Sequence, residues 1–122
     1  MRFNQAFFGT LFLLLIAGTS IGQTSINRAN KQYELHAYNL AIRSYLKVIE
    51  RQPNNVEALY KLADCYRHLN QLDNASLYYT QALQSGEVPP EAYFQYGQTL
   101  KGLGQYNEAK KQFQRYTLAY PV

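Results

Sequence analysis

The sequence has few of the residues on which disulfide, metal and catalytic sites depend. Its 122 residues include one Cys, two His and no Trp. A single Cys cannot form an internal disulfide, so the fold must be held together by packing, and we expect Cys65 to be a small buried residue. His36 and His68 have no Cys, Glu or second His at ligand spacing, so we expect no metal ion and place both at the surface or at helix ends.

Motifs for catalysis and phosphate binding are also missing. Gly102 and Gly104 are one residue off the spacing of a phosphate-binding loop, and they follow a predicted helix instead of a strand. No nucleophile is paired with a base at a recognisable spacing. We therefore predict a protein that is not an enzyme and that carries no cofactor.

Charge of either sign is sparse and mixed. Lys and Arg number 12 and Asp and Glu number 8, so the formal net charge is +4. Lys110, Lys111 and Arg115 form the only local cluster, and their helical spacing is typical of a solvated helix face. We therefore predict no nucleic-acid partner.

The one long apolar run lies at the N-terminus. Arg2 precedes an uncharged apolar stretch from Ala6 to Ala17, and small residues follow from Gly18 to Gly22. This order predicts a secretory signal peptide over residues 1–22 that is cleaved after Gly22, and an uncleaved anchor is the alternative. The run is shorter than the roughly 20 residues that a membrane-spanning helix needs, so we expect no stable membrane span in the mature domain, residues 23–122.

A shift of 34 residues brings the sequence into register with itself, which indicates internal repeats. Four sets of equivalent positions agree in character: the small residues Ala29, Ala63 and Gly97; the leucines Leu35, Leu69 and Leu103; the alanines Ala41, Ala75 and Ala109; and the aromatics Tyr45, Tyr79 and Phe113. In a fifth set, large apolar residues precede potential helix caps: Tyr38 before Asn39, Leu72 before Asp73, and Tyr106 before Asn107.

Between these positions the apolar spacing is helical, so each repeat should contain two helices. The breaks fall at Pro53-Asn54-Asn55 and at Gly86 with Pro89-Pro90. We predict helices over residues 24–36, 39–52, 56–69, 72–85, 90–103 and 106–119, in repeats 22–55, 56–89 and 90–122. Six of the 12 tyrosines lie on repeat core positions, where packing explains them: Tyr38, Tyr45, Tyr66, Tyr79, Tyr96 and Tyr106.

On these residues the chain resembles the tetratricopeptide-repeat (TPR) family, whose unit is a 34-residue helix-turn-helix. The second and third repeats are nearest the family pattern, with EALYKLADCYRHLNQLDNASLYYTQAL and EAYFQYGQTLKGLGQYNEAKKQF. The first repeat departs from it at Arg28 and Gln32. The resemblance implies an all-α fold of three tandem helix-turn-helix repeats stacked into a short right-handed superhelix.

The resemblance also implies a function in which the first helices of the repeats line a concave groove that binds a protein or peptide partner. By analogy the groove residues are Asn30, Tyr33, Tyr60, Lys61, Asp64, Arg67, Phe94, Gln95, Gln98 and Lys101. The alternatives are a solvated inner face with half-buried aromatics and a structural spacer that positions or dimerises other domains.

Some family members grip the terminal carboxylate of a peptide with Lys, Arg and Asn on successive first helices. Asn30 and Lys61 fit that cluster, but Ile26, Glu91 and Gln95 do not supply its other groups. We therefore do not predict a receptor for chaperone tails.

No polar seventh helix follows the third predicted pair. Phe113, Tyr116 and Tyr120 lie along one side of the last helix, and at least the latter two should face the position of a next helix. We expect this end to be an interface with a longer chain, with a second copy in self-association through the C-terminal helix, or with a partner. The resemblance to exported repeat proteins predicts the periplasm or outer envelope of a Gram-negative bacterium, with secretion as the alternative.

Overall fold

The computed structural model describes residues 25–120, which form six α-helices and no strand. The helices are α1 (25–34), α2 (Tyr38–Arg51), α3 (Val56–His68), α4 (Leu72–Ser85), α5 (Pro90–Gly102) and α6 (Tyr106–Ala119). Their bounds lie within two residues of the predicted ones wherever both ends are described, so the predicted all-α helical repeat fold is confirmed. The predicted signal peptide, residues 1–22, lies outside the described residues.

The turn inside each helix pair has one backbone geometry that recurs every 34 residues. His36, Asn70 and Gly104 adopt positive φ angles of 60°, 57° and 76°. In each turn the next amide donates to a carbonyl five residues earlier, as from Gln71 to Tyr66 and from Gln105 to Leu100, both at 2.9 Å. This left-handed residue ends the first helix and reverses the chain into the second.

That turn corrects the predicted helix caps. The second helices begin at Tyr38, Leu72 and Tyr106, so Asn39, Asp73 and Asn107 are the second residues of their helices and not the caps. The cap positions are Ala37, Gln71 and Gln105, which make no side-chain capping bond. The reason is that the left-handed residue brings the chain into the helix one residue earlier than the polar residue.

The first helices begin differently. Asn55 caps α3, because its Oδ1 accepts a hydrogen bond of 3.0 Å from the amide of Ala58. Pro90 opens α5, where a missing amide hydrogen costs nothing. The predicted breaks therefore coincide with the connections between repeats.

The predicted small positions form the core between helices. Ala29, Ala63, Ala41 and Ala75 are completely buried, and Ala109 is nearly so. A Cβ atom on Gly97 would lie 2.6 Å from Cε1 of Phe113, so this position requires glycine for α5 and α6 to approach.

Large side chains fill the space beyond the small positions. Tyr45 and Tyr79 are buried as predicted. Tyr106 is 68% exposed, so the prediction that it belongs to the core is wrong. The equivalent Tyr38 and Leu72 are half-buried, because they contact residues of the following repeat.

Each helix from α2 onward packs on its neighbour in the chain, and α3 also contacts α5. The first helices α1, α3 and α5 therefore carry the predicted groove residues. None of the helices in the described part of the chain is long and apolar enough to cross a membrane.

Candidate functional site

The predicted groove is built around a buried carboxylate, Asp64 of α3. Its Oδ2 accepts a hydrogen bond of 2.6 Å from the hydroxyl of Tyr33 on α1, and its Oδ1 accepts one of 3.1 Å from the hydroxyl of Tyr79 on α4. Arg67 donates to Oδ1 from Nε and Nη2, both at 2.8 Å, and His68 Nε2 lies 3.2 Å from Oδ2. One carboxylate thus joins three helices.

This arrangement corrects the predicted role of Asp64. The residue is 1% exposed and its carboxylate is occupied by neighbours, so its side chain does not face a partner. It holds Tyr33 and Arg67, two predicted groove residues, in fixed orientations. Burial, followed by the nearby Asp64 charge, raises the pKa of Tyr79 well above its ordinary value, which keeps that hydroxyl protonated as a donor.

A second network closes the N-terminal part of the groove. Asn30 accepts hydrogen bonds at Oδ1 from the Tyr45 hydroxyl (2.6 Å) and from Lys61 Nζ (3.2 Å), and its Nδ2 donates to Glu57 at 3.1 Å. Lys61 also forms an ion pair of 2.9 Å with Glu57 and lies 5.8 Å from the ring centroid of Tyr33. Glu57 was missed in the sequence, although its spacing of four residues from Lys61 is typical of an ion pair.

The other half of the predicted groove is free of such bonds. Among residues 25–120, the side chains of Tyr60, Gln95, Gln98 and Lys101 form no hydrogen bond or ion pair. Gln98 and Lys101 are exposed, Tyr60 and Gln95 are half-buried, and Phe94 is 41% exposed. The groove therefore has an internally satisfied half on α1 and α3, and a half at α5, extending to Tyr60, whose polar groups lack partners.

The predicted C-terminal interface meets the groove at Phe94. The ring centroid of Phe94 lies 5.7 Å from that of Phe113 and 5.3 Å from that of Tyr116, and Tyr116 lies 5.2 Å from Tyr120. Phe113 is half-buried against Gly97, whereas Tyr120 is 47% exposed. The two surfaces predicted separately are therefore continuous.

A hydrogen bond closes the edge of this aromatic cluster. The Tyr120 hydroxyl donates to Oε1 of Glu91 at the start of α5. The bond lowers the pKa of the Glu91 carboxyl and raises the pKa of the Tyr120 hydroxyl. The carboxylate of Glu91 is thus already engaged within the chain.

Reactive groups in the described residues are buried or scattered. Cys65 is completely buried, as predicted, and burial raises the pKa of its thiol to about 12. Within residues 25–120 no three His, Cys, Asp or Glu side chains come together as a potential metal site. His36 is exposed in a turn and His68 ends α3, where the sequence places them.

The fold is an array of helix pairs that repeats every 34 residues, and sequence comparison assigns its family. Two profiles of the tetratricopeptide repeat match residues 44–75 and residues 90–122, which together exceed half of the chain. The chain belongs to the tetratricopeptide-repeat family. Proteins of this fold serve as protein-interaction scaffolds, generally without catalytic activity.

A curated relative matches only a short stretch. Human sperm-associated antigen 1 is 40% identical over 50 residues, which cover 41% of this chain and 5% of the relative. The chain therefore spans a small fraction of that protein.

Solved structures match most of the described fold. The second TPR domain of Spaghetti (RPAP3), bound to the HSP90 peptide SRMEEVD, is 25% identical with a TM-score of 0.74, over 80% of this chain and 90% of that one. MamA is 19% identical with a TM-score of 0.74, over 83% of this chain and 56% of that one. YrrB, described as a TPR protein with an unusual peptide-binding site, is 23% identical with a TM-score of 0.75, over 79% and 50%. The chain spans about half the length of the last two.

Proposed function

We propose that this protein is a non-catalytic scaffold that holds a peptide or protein partner in its concave groove. The observation that carries the proposal is the division of the groove. The polar groups of α1 and α3 are satisfied internally, whereas Gln98 and Lys101 are exposed without partners beside the ring of Phe94. Aromatic rings next to free amides and a free cation suit a peptide surface.

The internally bonded half supports this function by fixing the shape of the groove. Asp64 and Asn30 link α1 to α3, so the orientation of these helices is set before a partner arrives. A groove formed in advance loses less conformational entropy on binding. The same rigidity favours the alternative function, a structural spacer that positions or dimerises other domains.

The ligand of the RPAP3 domain is not the partner that we propose for this chain. Lys61, which would contact a terminal carboxylate, is held by Glu57 and Asn30. Glu91 places a carboxylate on α5 where a basic group would be needed. Since like charges repel, we propose a partner segment other than an acidic chaperone tail.

A double substitution tests the groove against the spacer. Tyr60→Ala with Gln98→Ala removes a ring and an amide while the Asp64 network stays intact, so the fold should persist. We expect weaker capture of partners in co-purification from envelope extracts, with circular dichroism near that of the wild type. Leu77→Ala with Gln114→Ala is the matched control on the second helices, where both residues are exposed. Equal capture by the groove variant and the control would favour the spacer.

We further propose that the chain is exported to the bacterial envelope. The support is the order of residues 1–22, in which a positive start, an apolar run and small residues follow one another. Mass spectrometry of the envelope product should show a chain that begins at or near Gln23. Recovery of the soluble protein from the cytoplasm with Met1 intact would contradict export.

A further inference from the structure

Each repeat contacts the next through a fixed pair of positions on the convex side. Tyr38 stacks on His68 with ring centroids 4.3 Å apart, and one repeat later a Cβ atom on Gly102 would lie 2.6 Å from Cδ1 of Leu72. The third residue of this set is Tyr106, which is 68% exposed. The internal repeat thus places a small or flat residue of a further helix against Tyr106.

The concave side follows the same rule with polar contacts. Asn30 and Tyr33 of α1 reach across to the next first helix, where they bind Glu57 and Asp64. Their equivalents two repeats later are Gln98 and Lys101, which are exposed and unbonded among the described residues. The position that binds a carboxylate across the first junction therefore carries a free ammonium at the last one.

A second free cation lies on the same end of the array. Lys110 is exposed and makes no ion pair within residues 25–120. The equivalent positions are Ile42, which is 9% exposed in the core, and Ser76, which is half-buried. In the inner repeats this position is covered, so Lys110 belongs to the surface that a further helix would cover.

No acid on this end neutralises the two lysines. Glu91 and Glu108 are the only acids of α5 and α6. Tyr120 donates to the first, and Lys111 and Gln112 bind the second. We call the surface made by Phe94, Lys101, Tyr106, Lys110, Tyr116 and Tyr120 the C-terminal face; it is aromatic and basic.

The charge of this face argues against a second copy of the chain as its occupant. Two such faces packed together would bring four lysines into one interface without a free acid. The opposite end of the array fits no better. Arg28 is exposed on α1 where Leu62 and Tyr96 are buried in later repeats, so head-to-tail stacking would add a further cation and no apolar residue.

We propose that the C-terminal face binds an acidic amphipathic helix of a partner protein, in the position that the internal repeat assigns to the next first helix. Carboxylates of that helix would face Lys101 and Lys110, as Asp64 faces Tyr33. A small residue would lie against Tyr106, as Gly102 lies against Leu72. The face shares Phe94 and Lys101 with the groove and otherwise extends over the outer side of α6.

Two helical peptides test the proposal directly. The probe is a stapled copy of Pro90–Gly102, the helix that docks on the equivalent face of α3 and α4, with its buried residues kept and Glu at its exposed positions. The control peptide carries Lys at those positions. We expect the full chain to bind the acidic peptide at least tenfold more tightly by fluorescence anisotropy, and to lose that difference at high salt.

Substitutions then locate the bound peptide. Tyr106→Ser with Lys110→Glu should weaken binding of the acidic peptide at least tenfold, because it removes an exposed ring and reverses a charge. Leu40→Ser with Lys47→Glu makes the same kinds of change at exposed positions of α2 and should have no effect. Since Tyr60 and Gln98 remain, capture of a groove partner should also be unchanged, which separates this test from that of the groove.

Three results would overturn the proposal. The first is equal binding of both peptides, or of neither. The second is an equal loss for the α2 control variant, which would mean nonspecific attraction. The third is a dimer in light scattering that Tyr106→Ser with Lys110→Glu abolishes, because a second copy would then be the occupant.

Discussion

The contact between Gly97 and Phe113 allows a stability prediction in which two opposing effects can be weighed. Gly97→Ala places a Cβ atom 2.6, 2.8 and 3.0 Å from three carbons of the Phe113 ring. The ring cannot simply turn away, because it packs on Phe94 at a centroid distance of 5.7 Å and borders the buried cluster around Tyr79 and Tyr96. Either the ring or α6 must move.

The net change follows from the two terms. Alanine in a helix interior is more favourable than glycine by about 0.5–1 kcal/mol. Overpacking in a core costs about 1–3 kcal/mol. We therefore expect Gly97→Ala to lower the free energy of unfolding by about 0.5–2 kcal/mol, which corresponds to several degrees in melting temperature for a domain of this size.

Gly102→Ala is the matched control in the same helix. Its Cβ atom would also approach a neighbour to 2.6 Å, but that neighbour is Cδ1 of Leu72, the end of a flexible side chain. The rotamer of Leu72 can change, so the helix-propensity term should dominate and Gly102→Ala should be neutral or stabilising by up to about 1 kcal/mol. Equal initial distances thus predict opposite outcomes.

Urea unfolding followed by circular dichroism measures both variants, and Phe113→Leu completes a double-mutant cycle with Gly97→Ala. We expect Phe113→Leu to relieve the cost of Gly97→Ala, with an interaction energy of about 0.5–3 kcal/mol. If Gly97→Ala is as harmless as Gly102→Ala, or if its cost is the same in the Phe113→Leu background, the close approach of α5 and α6 is not what the structure describes.

Two further predictions concern the core. Burial raises the pKa of Tyr45 and Tyr79, and that of Cys65 to about 12, from ordinary values of 10.0 and 9.0; the unfolded chain therefore loses these protons first, so urea unfolding should show stability that is full below about pH 9 and falls as the pH rises further. A curve without this alkaline loss would contradict their burial. Ala75→Leu in the small column should cost about 1–3 kcal/mol and Tyr79→Ala about 3–5 kcal/mol, and melting temperatures that do not move would refute the alignment of the repeats.

The helices and the packing between them could be predicted because both depend on short-range patterns. The small columns at Ala41 and Ala75 recur at a fixed spacing, and only small residues let helices approach closely there. Pro90 and Asn55 mark helix starts by their own backbone chemistry. These signals need no knowledge of distant contacts.

The helix caps and the groove could be predicted only in part. Asp73 has the chemistry of a cap, but the left-handed turn at Asn70 decides that the helix begins at Leu72. Asp64 and Lys61 occur at groove positions in the repeat, yet their side chains are engaged with Tyr33 and Glu57. Whether a polar side chain is free depends on partners 27 to 31 residues away, as for Asn30 and Asp64.

The sequence by itself determined that this protein is an α-helical repeat array with close-packed helix pairs, because periodicity and residue size specify both. Only the tertiary structure decided which side chains remain available to a partner. Tyr38, Leu72 and Tyr106 occupy one repeat position, but the first two contact a following repeat and the third is exposed. Exposure is a property of what packs against a residue, and the residue's own chemistry does not contain it.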